Sequence, residues 1–196
     1  ILIPLAFYFV INGSYMLMFF TFICFLVACY EWHMMTKKKI FKIYGFLFLI
    51  FSFITFYILS LEIFLVVFVI LICISTDIGG YVFGKIFKGP KLTKISPKKT
   101  YAGMIGGYFL SLICLATITS WIDYPHIPIQ FFIITIIIST VSQIGDITIS
   151  YFKRLSKIKD TGKLIPGHGG LLDRIDGMIF AFPVFYLVNL TGYLNV

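Results

Sequence analysis

Long apolar runs without a single charge constrain this chain more than any other feature. Residues 13–30, 43–61 and 100–122 contain no lysine, arginine, aspartate or glutamate. A helix that crosses a bilayer needs about 20 predominantly apolar residues, so each run is long enough to be one. Because 60% of the chain is hydrophobic and only 12% is charged, its polar residues could not cover the surface of a soluble fold. The sequence therefore predicts an integral membrane protein.

Four more apolar runs complete the pattern. Two of them contain one carboxylate each, one closes the chain, and one is a partial span at its start. These runs are residues 1–11, 63–84, 127–152 and 177–196. The sequence thus predicts six full spans and a partial first one, in a single all-α domain over residues 1–196, a polytopic transmembrane helical bundle. Because the chain begins with Ile1 rather than methionine, we expect residues to be missing upstream.

The basic residues all fall on one side of this predicted bundle. The sixteen lysines and arginines lie within residues 37–42, 85–99 and 153–174, which follow the second, fourth and sixth runs. The positive-inside rule places such connections in the cytoplasm. The net charge of +8 therefore reflects topology, and we expect no nucleic acid partner. Residues 37–42 need no role beyond topology and contact with anionic lipid, whereas the other two loops also carry glycines, prolines and paired polar residues.

Asp77 and Asp146 lie inside predicted spans, where a charge is costly and usually marks function. Each precedes the basic end of its span by seven or eight residues. At 1.5 Å per residue, both should lie roughly 10–12 Å from the cytoplasmic end. Asp173 and Asp176 begin the last span from the same side and, three residues apart, share a helix face. We therefore expect four carboxylates at one polar active site that faces the cytoplasm.

The residues around these carboxylates suit a metal ion and phosphate groups. Carboxylates without a histidine or cysteine cluster are ligands typical of Mg²⁺. In residues 159–176, glycines let backbone N–H groups approach an anion, and His168 between two of them is either a catalytic or substrate-binding residue or a loop hydrogen-bonding residue. Residues 85–99 add six lysines as a phosphate-binding surface, and Ser96-Pro97 predicts a bend there.

Three blocks of the sequence resemble a known enzyme family. The longest, within the signature region 143–176, reads Ser150-Tyr-Phe-Lys153-Arg154, then Lys159-Asp160-Thr-Gly162, then Ile165-Pro166-Gly-His168-Gly169-Gly170-Leu-Leu-Asp173-Arg174-Ile-Asp176. The others are Gln143-Ile-Gly145-Asp146, and Asp77-Ile-Gly79-Gly80-Tyr81 with Ile95-Ser96-Pro97-Lys98-Lys99-Thr100. Together they resemble the phosphatidate cytidylyltransferases, also called CDP-diacylglycerol synthases.

The resemblance implies a Mg²⁺-dependent nucleotidyltransferase of phospholipid biosynthesis. Such an enzyme transfers CMP from CTP to phosphatidic acid, giving CDP-diacylglycerol and pyrophosphate. The resemblance further implies a monovalent cation (K⁺) beside the Mg²⁺, a homodimer, and contact with membrane lipid. It also implies a multi-pass location in the bacterial cell membrane, that is, the inner or plasma membrane, with the active site facing the cytoplasm.

The resemblance assigns roles to individual residues. It implies that Asp146 and Asp173 hold the metal. The catalytic residues that it implies are Lys153, Arg154, His168 and Asp176. The substrate-binding residues that it implies are Asp77, Ser96, Lys98, Lys99, Ser150, Gly169, Gly170 and Arg174.

Two positions depart from the family pattern, and two other functions stay open. Ala102 stands where the family often has glutamate, and Ile149 replaces an acid that is common just before Ser150. A lipid-alcohol kinase that uses CTP as phosphoryl donor would yield a phospho-lipid instead of a CMP-lipid. A cation channel or transporter could line its path with aspartates, but it has no use for the glycine–histidine loop.

Overall fold

The computed structural model describes residues 8–9, 14–121, 128–162 and 169–193. In these ranges the protein is all-α, without a β-strand, as predicted. The helices are α1 (Ser14–Met35), α2 (Lys39–Leu59), α3 (Ile63–Phe87), α4 (Tyr101–Trp121), α5 (Ile129–Leu155), α6 (Leu172–Ile175) and α7 (Met178–Leu190).

Helices α1 to α5 are each long and apolar enough to cross a membrane, which confirms the prediction of a polytopic bundle. Each overlaps one of the predicted runs. The largest difference is at the end of α1, which continues to Met35 rather than ending at residue 30. This extension includes Glu31, which is buried inside the protein instead of facing lipid. The predicted partial span, residues 1–11, lies outside the described residues except for 8–9.

The prediction of a full span over residues 177–196 is wrong in length. In the described part of that run, α7 has 13 residues and is too short to count as a full span. Gly192 accounts for the early end, because its φ of 71° is left-handed and its N–H bonds the Asn189 carbonyl at 3.1 Å. Glycine in this conformation ends helices, whereas hydropathy does not register such a stop.

Helices α3 and α4 form the most extensive helix pair, because glycines line their contact. A Cβ atom on Gly103 would lie 2.6 Å from the Gly80 carbonyl oxygen, and Gly79 and Gly106 have equally little room for a side chain. Small residues let two membrane helices bring their backbones together. This close pairing holds the connecting loop, residues 88–100, over the ends of both helices.

Helix α7 contacts α2, α3 and α5. Phe68, Ile134, Ile138 and Phe185 are fully buried where these helices pack. Close side-chain packing of this kind, rather than exclusion of water, holds helices together in lipid.

The carboxyl-terminal ends of α1 and α5 meet at one end of the bundle. Ser156 donates a hydrogen bond to the Met35 carbonyl. Trp32 packs edge-to-face on Phe152, with ring centroids 4.9 Å apart. The described lysines and arginines lie in the connections that follow α1, α3 and α5 or in the helix ends that flank these connections, near this end of the bundle, which we call the basic end.

Candidate active site

An open cleft of about 290 Å³ lies between α3, α4 and α5 toward the basic end. Asp77 of α3 and Asp146 of α5 both line it, in agreement with the similar depth that their sequence positions predict. Ser96, Lys98 and Lys99 line it from the loop 88–100. Its volume is close to the lower end of the roughly 300–1,000 Å³ of small-molecule sites, so this open cleft can hold part of a nucleotide while the rest lies in solvent.

The loop 88–100 folds so that Lys99 reaches the cleft. Leu92 N–H donates to the Lys99 carbonyl at 2.8 Å, and Lys99 N–H donates to the Ser96 carbonyl at 3.0 Å. These bonds close a turn at the predicted Ser96-Pro97 bend. The Lys99 ammonium forms an ion pair with the Asp146 carboxylate. The cleft therefore contains both a cation, Lys99 of the loop 88–100, and a carboxylate, Asp146 of α5.

Asp146 is the residue at which several parts of the site meet. Ser150, one helical turn later, donates from Oγ to Asp146 Oδ1 at 3.4 Å. The Asp176 carboxyl group is close enough to share a hydrogen bond with that of Asp146. Gly145 permits this approach, since a Cβ atom there would lie 2.7 Å from the Asp176 carbonyl oxygen. Two carboxylates at this distance repel each other unless they share a proton or a cation.

Asp173 is held on both of its oxygens. Lys153 Nζ donates to Oδ1 at 2.7 Å, and the backbone N–H groups of Thr161 and Gly170 donate to Oδ2 at 2.8 Å and 3.0 Å. Burial alone would raise the pKa of Asp173, but the ammonium and the two backbone donors outweigh it and lower the pKa below its ordinary value. Asp173 therefore stays an anion that orients Lys153.

Two glycines of residues 156–172, which we call the signature loop, have a defined geometrical role. Gly169 has a φ of 85°, a backbone conformation that other residues rarely adopt. A Cβ atom at Gly169 would lie 2.8 Å from Asp173 Oδ2. Gly170 supplies one of the two backbone donors to the same oxygen. These glycines thus wrap the chain around the Asp173 carboxylate.

The three remaining predicted site residues have different outcomes. Arg154 is exposed and donates from Nη1 to the Ile158 carbonyl at 3.4 Å, just beyond α5. Arg174 lines a second, mostly apolar cavity of about 80 Å³, together with Phe20, Phe56 and other residues of α1, α2, α3 and α7. His168 lies outside the described residues.

The carboxylates suit a single Mg²⁺ better than a metal bound entirely by protein. Across residues 14–121, 128–162 and 169–193, no three His, Cys, Asp or Glu side chains converge as metal ligands. Asp146 and Asp176 nevertheless place two hard oxygen donors side by side, with Asp77 lining the same cleft. Mg²⁺ typically binds one or two carboxylates and completes its shell with water and phosphate oxygens. The donor set therefore fits Mg²⁺.

Sequence reasoning missed Glu31, which accepts hydrogen bonds from the signature loop. It lies near the end of α1 and is only 1% exposed. Its oxygens accept from Leu171 N–H, Leu172 N–H and the Thr161 hydroxyl. The available signal was an acidic residue directly after a long apolar run, Glu31 following residues 13–30.

The departure at position 149 does not reach the cleft. Ile149 is buried in the apolar cluster that includes Leu49 and Leu172. An isoleucine at this position therefore contributes to packing and leaves the polar contacts of Ser150 and Asp146 in place.

Residues 60–191 match the sequence model of the cytidylyltransferase family. The chain is similar to the phosphatidate cytidylyltransferase of Rickettsia typhi, with 47% identity over 124 residues that cover 59% of this chain and 54% of the relative. It is also similar to the protein of the same name from Staphylococcus saprophyticus, with 40% identity over 124 residues, 63% of this chain and 48% of the relative. The chain spans about half the length of the curated relatives it matches.

Proposed function

This chain belongs to the cytidylyltransferase family, and from that premise we propose that it transfers CMP from CTP to phosphatidic acid, forming CDP-diacylglycerol and pyrophosphate. The contact of Asp146 with both Lys99 and Asp176 carries this proposal. It combines anionic ligands for a metal with a cation for phosphate, beside an open cleft that Asp146 and Lys99 both line. The relatives named phosphatidate cytidylyltransferase support the choice of reaction.

We propose that the basic end faces the cytoplasm of a bacterial cell. The described lysines and arginines cluster near that end, and positively charged loops are retained on the cytoplasmic side. CTP would then enter the cleft from water, while the acyl chains of the lipid stay in the bilayer. The apolar cavity beside Arg174 offers room for part of such a chain.

The chemistry needs no strong general base. A phosphate oxygen of phosphatidic acid, already anionic at neutral pH, attacks the α-phosphorus of CTP. A new P–O bond forms there, the bond to the β-phosphate bridging oxygen breaks, and pyrophosphate leaves with that electron pair. The main obstacle is repulsion between two phosphate-bearing anions. Catalysis therefore rests on positioning and on neutralising charge.

Different residues would contribute to positioning and to charge neutralisation. Asp146 and Asp176 would hold Mg²⁺, and its positive charge would offset the negative charge of the triphosphate. Lys98 and Lys99, from the loop 88–100, would bind phosphate oxygens. Lys153, oriented by Asp173, would neutralise charge that develops as the bond to pyrophosphate breaks. Asp173 as a direct metal ligand, K⁺ beside Mg²⁺ and a homodimer remain predictions of the family resemblance.

Labelling of CTP at two positions tests the reaction. The purified protein in vesicles containing phosphatidic acid is given CTP labelled at either the α- or the γ-phosphate, and the lipid product is separated and identified. We expect label from the α-phosphate in CDP-diacylglycerol and none from the γ-phosphate. With diacylglycerol added, transfer of the γ-label to lipid would instead show a lipid kinase. Cation flux without any nucleotide turnover would show a channel or transporter.

A further inference from the structure

Glu31 connects α1 to the signature loop at two separate places in the sequence. Its Oε2 accepts from the Thr161 hydroxyl at 2.9 Å and from Leu172 N–H at 2.8 Å, and its Oε1 accepts from Leu171 N–H at 2.8 Å. One buried carboxylate therefore holds both ends of the segment between residues 161 and 172.

Two glycines of the loop pack directly against this carboxylate. A Cβ atom on Gly162 would lie 2.6 Å from Glu31 Oε1, and one on Gly170 would lie 2.5 Å from Oε2. The glycines thus give the side chain of α1 access to the loop backbone. Hydrogen bonds to a charged acceptor in a buried place are among the stronger ones in proteins.

The residues that Glu31 holds are the residues that surround Asp173. Thr161 donates its hydroxyl to Glu31 and its backbone N–H to Asp173 Oδ2. Gly170, the second backbone donor to Asp173, directly precedes Leu171, which donates to Glu31. Movement of the loop away from Glu31 would therefore also remove both backbone donors from Asp173.

We propose that Glu31 is a positioning residue, which fixes the signature loop so that Asp173 keeps its geometry toward Lys153. Glu31 lies outside the matched region 60–191, so the first helix contributes to a site whose other described residues come from that region. The expected effect of Glu31 on turnover rests on the proposed function. Its effect on the position of the loop does not depend on that function, because the loop is anchored in the protein without substrate.

Limited trypsin digestion tests the loop alone. Lys157 and Lys159 are exposed just before the part that Glu31 holds. In Glu31→Gln, an amide nitrogen replaces one carboxylate oxygen and faces hydrogen-bond donors of the loop, so the loop should open more often. Cleavage after Lys157 and Lys159 should therefore be faster by at least about fivefold. Cleavage after Lys94, in the other basic loop, is the internal control and should not change. The exposed Glu62 at the opposite end supplies the matched variant Glu62→Gln, which should behave as the wild type.

Kinetics separate positioning from a purely structural role. For Glu31→Gln we expect kcat to fall by about tenfold or more, as for a lost hydrogen bond to a charged group, with KM for CTP changed by less than about twofold. Thr161→Val should also lower kcat, whereas Thr161→Ser, which keeps the hydroxyl, should restore it. Because Glu31 and Thr161 share one bond, Thr161→Val should have little further effect in the Glu31→Gln background.

Distinct outcomes overturn the two parts of the inference. Unchanged trypsin cleavage in Glu31→Gln would refute the anchoring of the loop, whatever reaction the protein catalyses. Quickened cleavage with normal kcat would refute the link to turnover. If both Glu31→Gln and Thr161→Val unfold in detergent, Glu31 serves the fold as a whole and the positioning role is also refuted. Absence of any CDP-diacylglycerol from the wild type would refute the proposed function while the digestion still decides the anchoring.

Discussion

Lys153 Nζ lies 2.7 Å from Asp173 Oδ1. This contact joins the end of α5, the longest described helix, to the segment that leads into α7. Lys153 is seven residues after Asp146 on the same helix, so both face the same side of α5. The lysine is little exposed, at 12% of its side chain, and its partner is 8% exposed. A lysine that only reached toward lipid headgroups would not be enclosed in this way.

Replacement of Lys153 with methionine should act on turnover. Methionine keeps much of the apolar stem and removes the ammonium, so kcat should fall by about tenfold or more while KM for CTP changes little. The measurement is steady-state kinetics in detergent, where headgroup contacts matter least. Lys157→Met, at an exposed lysine four residues further on, is the control and should be near normal. Equal kinetics in the two variants would assign Lys153 to topology alone.

Replacement of the carboxylates should abolish most activity without unfolding the protein. Asp146→Asn and Asp173→Asn should each lower kcat by at least about a hundredfold, or roughly 2.7 kcal/mol of activation free energy. The fold should survive because a neutral amide costs less in a membrane than an unpaired carboxylate. Size-exclusion profiles and melting in detergent check the fold. Well-folded variants with more than half of normal turnover would remove these residues from the active site.

Lys98 should contribute to binding of CTP rather than to the chemical step alone. Lys98 and Lys94 are both exposed on the loop 88–100, but Lys98 lines the cleft and Lys94 is not among the lining residues. Lys98→Met should therefore raise KM for CTP, and Lys94→Met should leave it unchanged. A titration of initial rate against CTP concentration measures both. The assignment fails if the two variants give the same KM as the wild type.

Orientation in the membrane can be measured by labelling single cysteines. The four native cysteines, which are all free in the structure, are first replaced. New cysteines at Lys94 and Lys157 should react only with a reagent that reaches the cytoplasm, and one at Glu62 should react from outside. Reaction of position 157 from outside in intact cells would contradict the proposed entry of cytoplasmic CTP.

Composition and motifs predicted the features of this protein that depend on short-range sequence. Long apolar runs located α1 to α5 because a helix that crosses a bilayer needs about 20 predominantly apolar residues. The match over residues 60–191 confirms the family resemblance found in the signature motifs. Counting residues to the basic end of each span predicted a shared depth for Asp77 and Asp146, which agrees with their lining one cleft.

Features that depend on contacts between distant residues could not be predicted. Glu31 is 130 residues from Thr161 in the chain, and nothing local marks it as a partner of the signature loop. Similarly, Asp173 and Asp176 share a helix face in the sequence pattern, but the structure gives them different partners. Asp173 is enclosed by Lys153 and backbone donors, whereas Asp176 meets Asp146. Asp173 lies within the short helix α6, and Asp176 directly follows it.

The most direct test measures both products of one reaction at once. Purified protein in vesicles receives CTP and phosphatidic acid, and CDP-diacylglycerol and pyrophosphate are quantified over the same interval, with Mg²⁺ and after verified removal of divalent metal. The account predicts equal molar amounts of the two products, loss of both when the metal is removed, and recovery of both when Mg²⁺ is restored. Continued CMP transfer in excess chelator, or nucleotide turnover that yields no CDP-diacylglycerol, would contradict it.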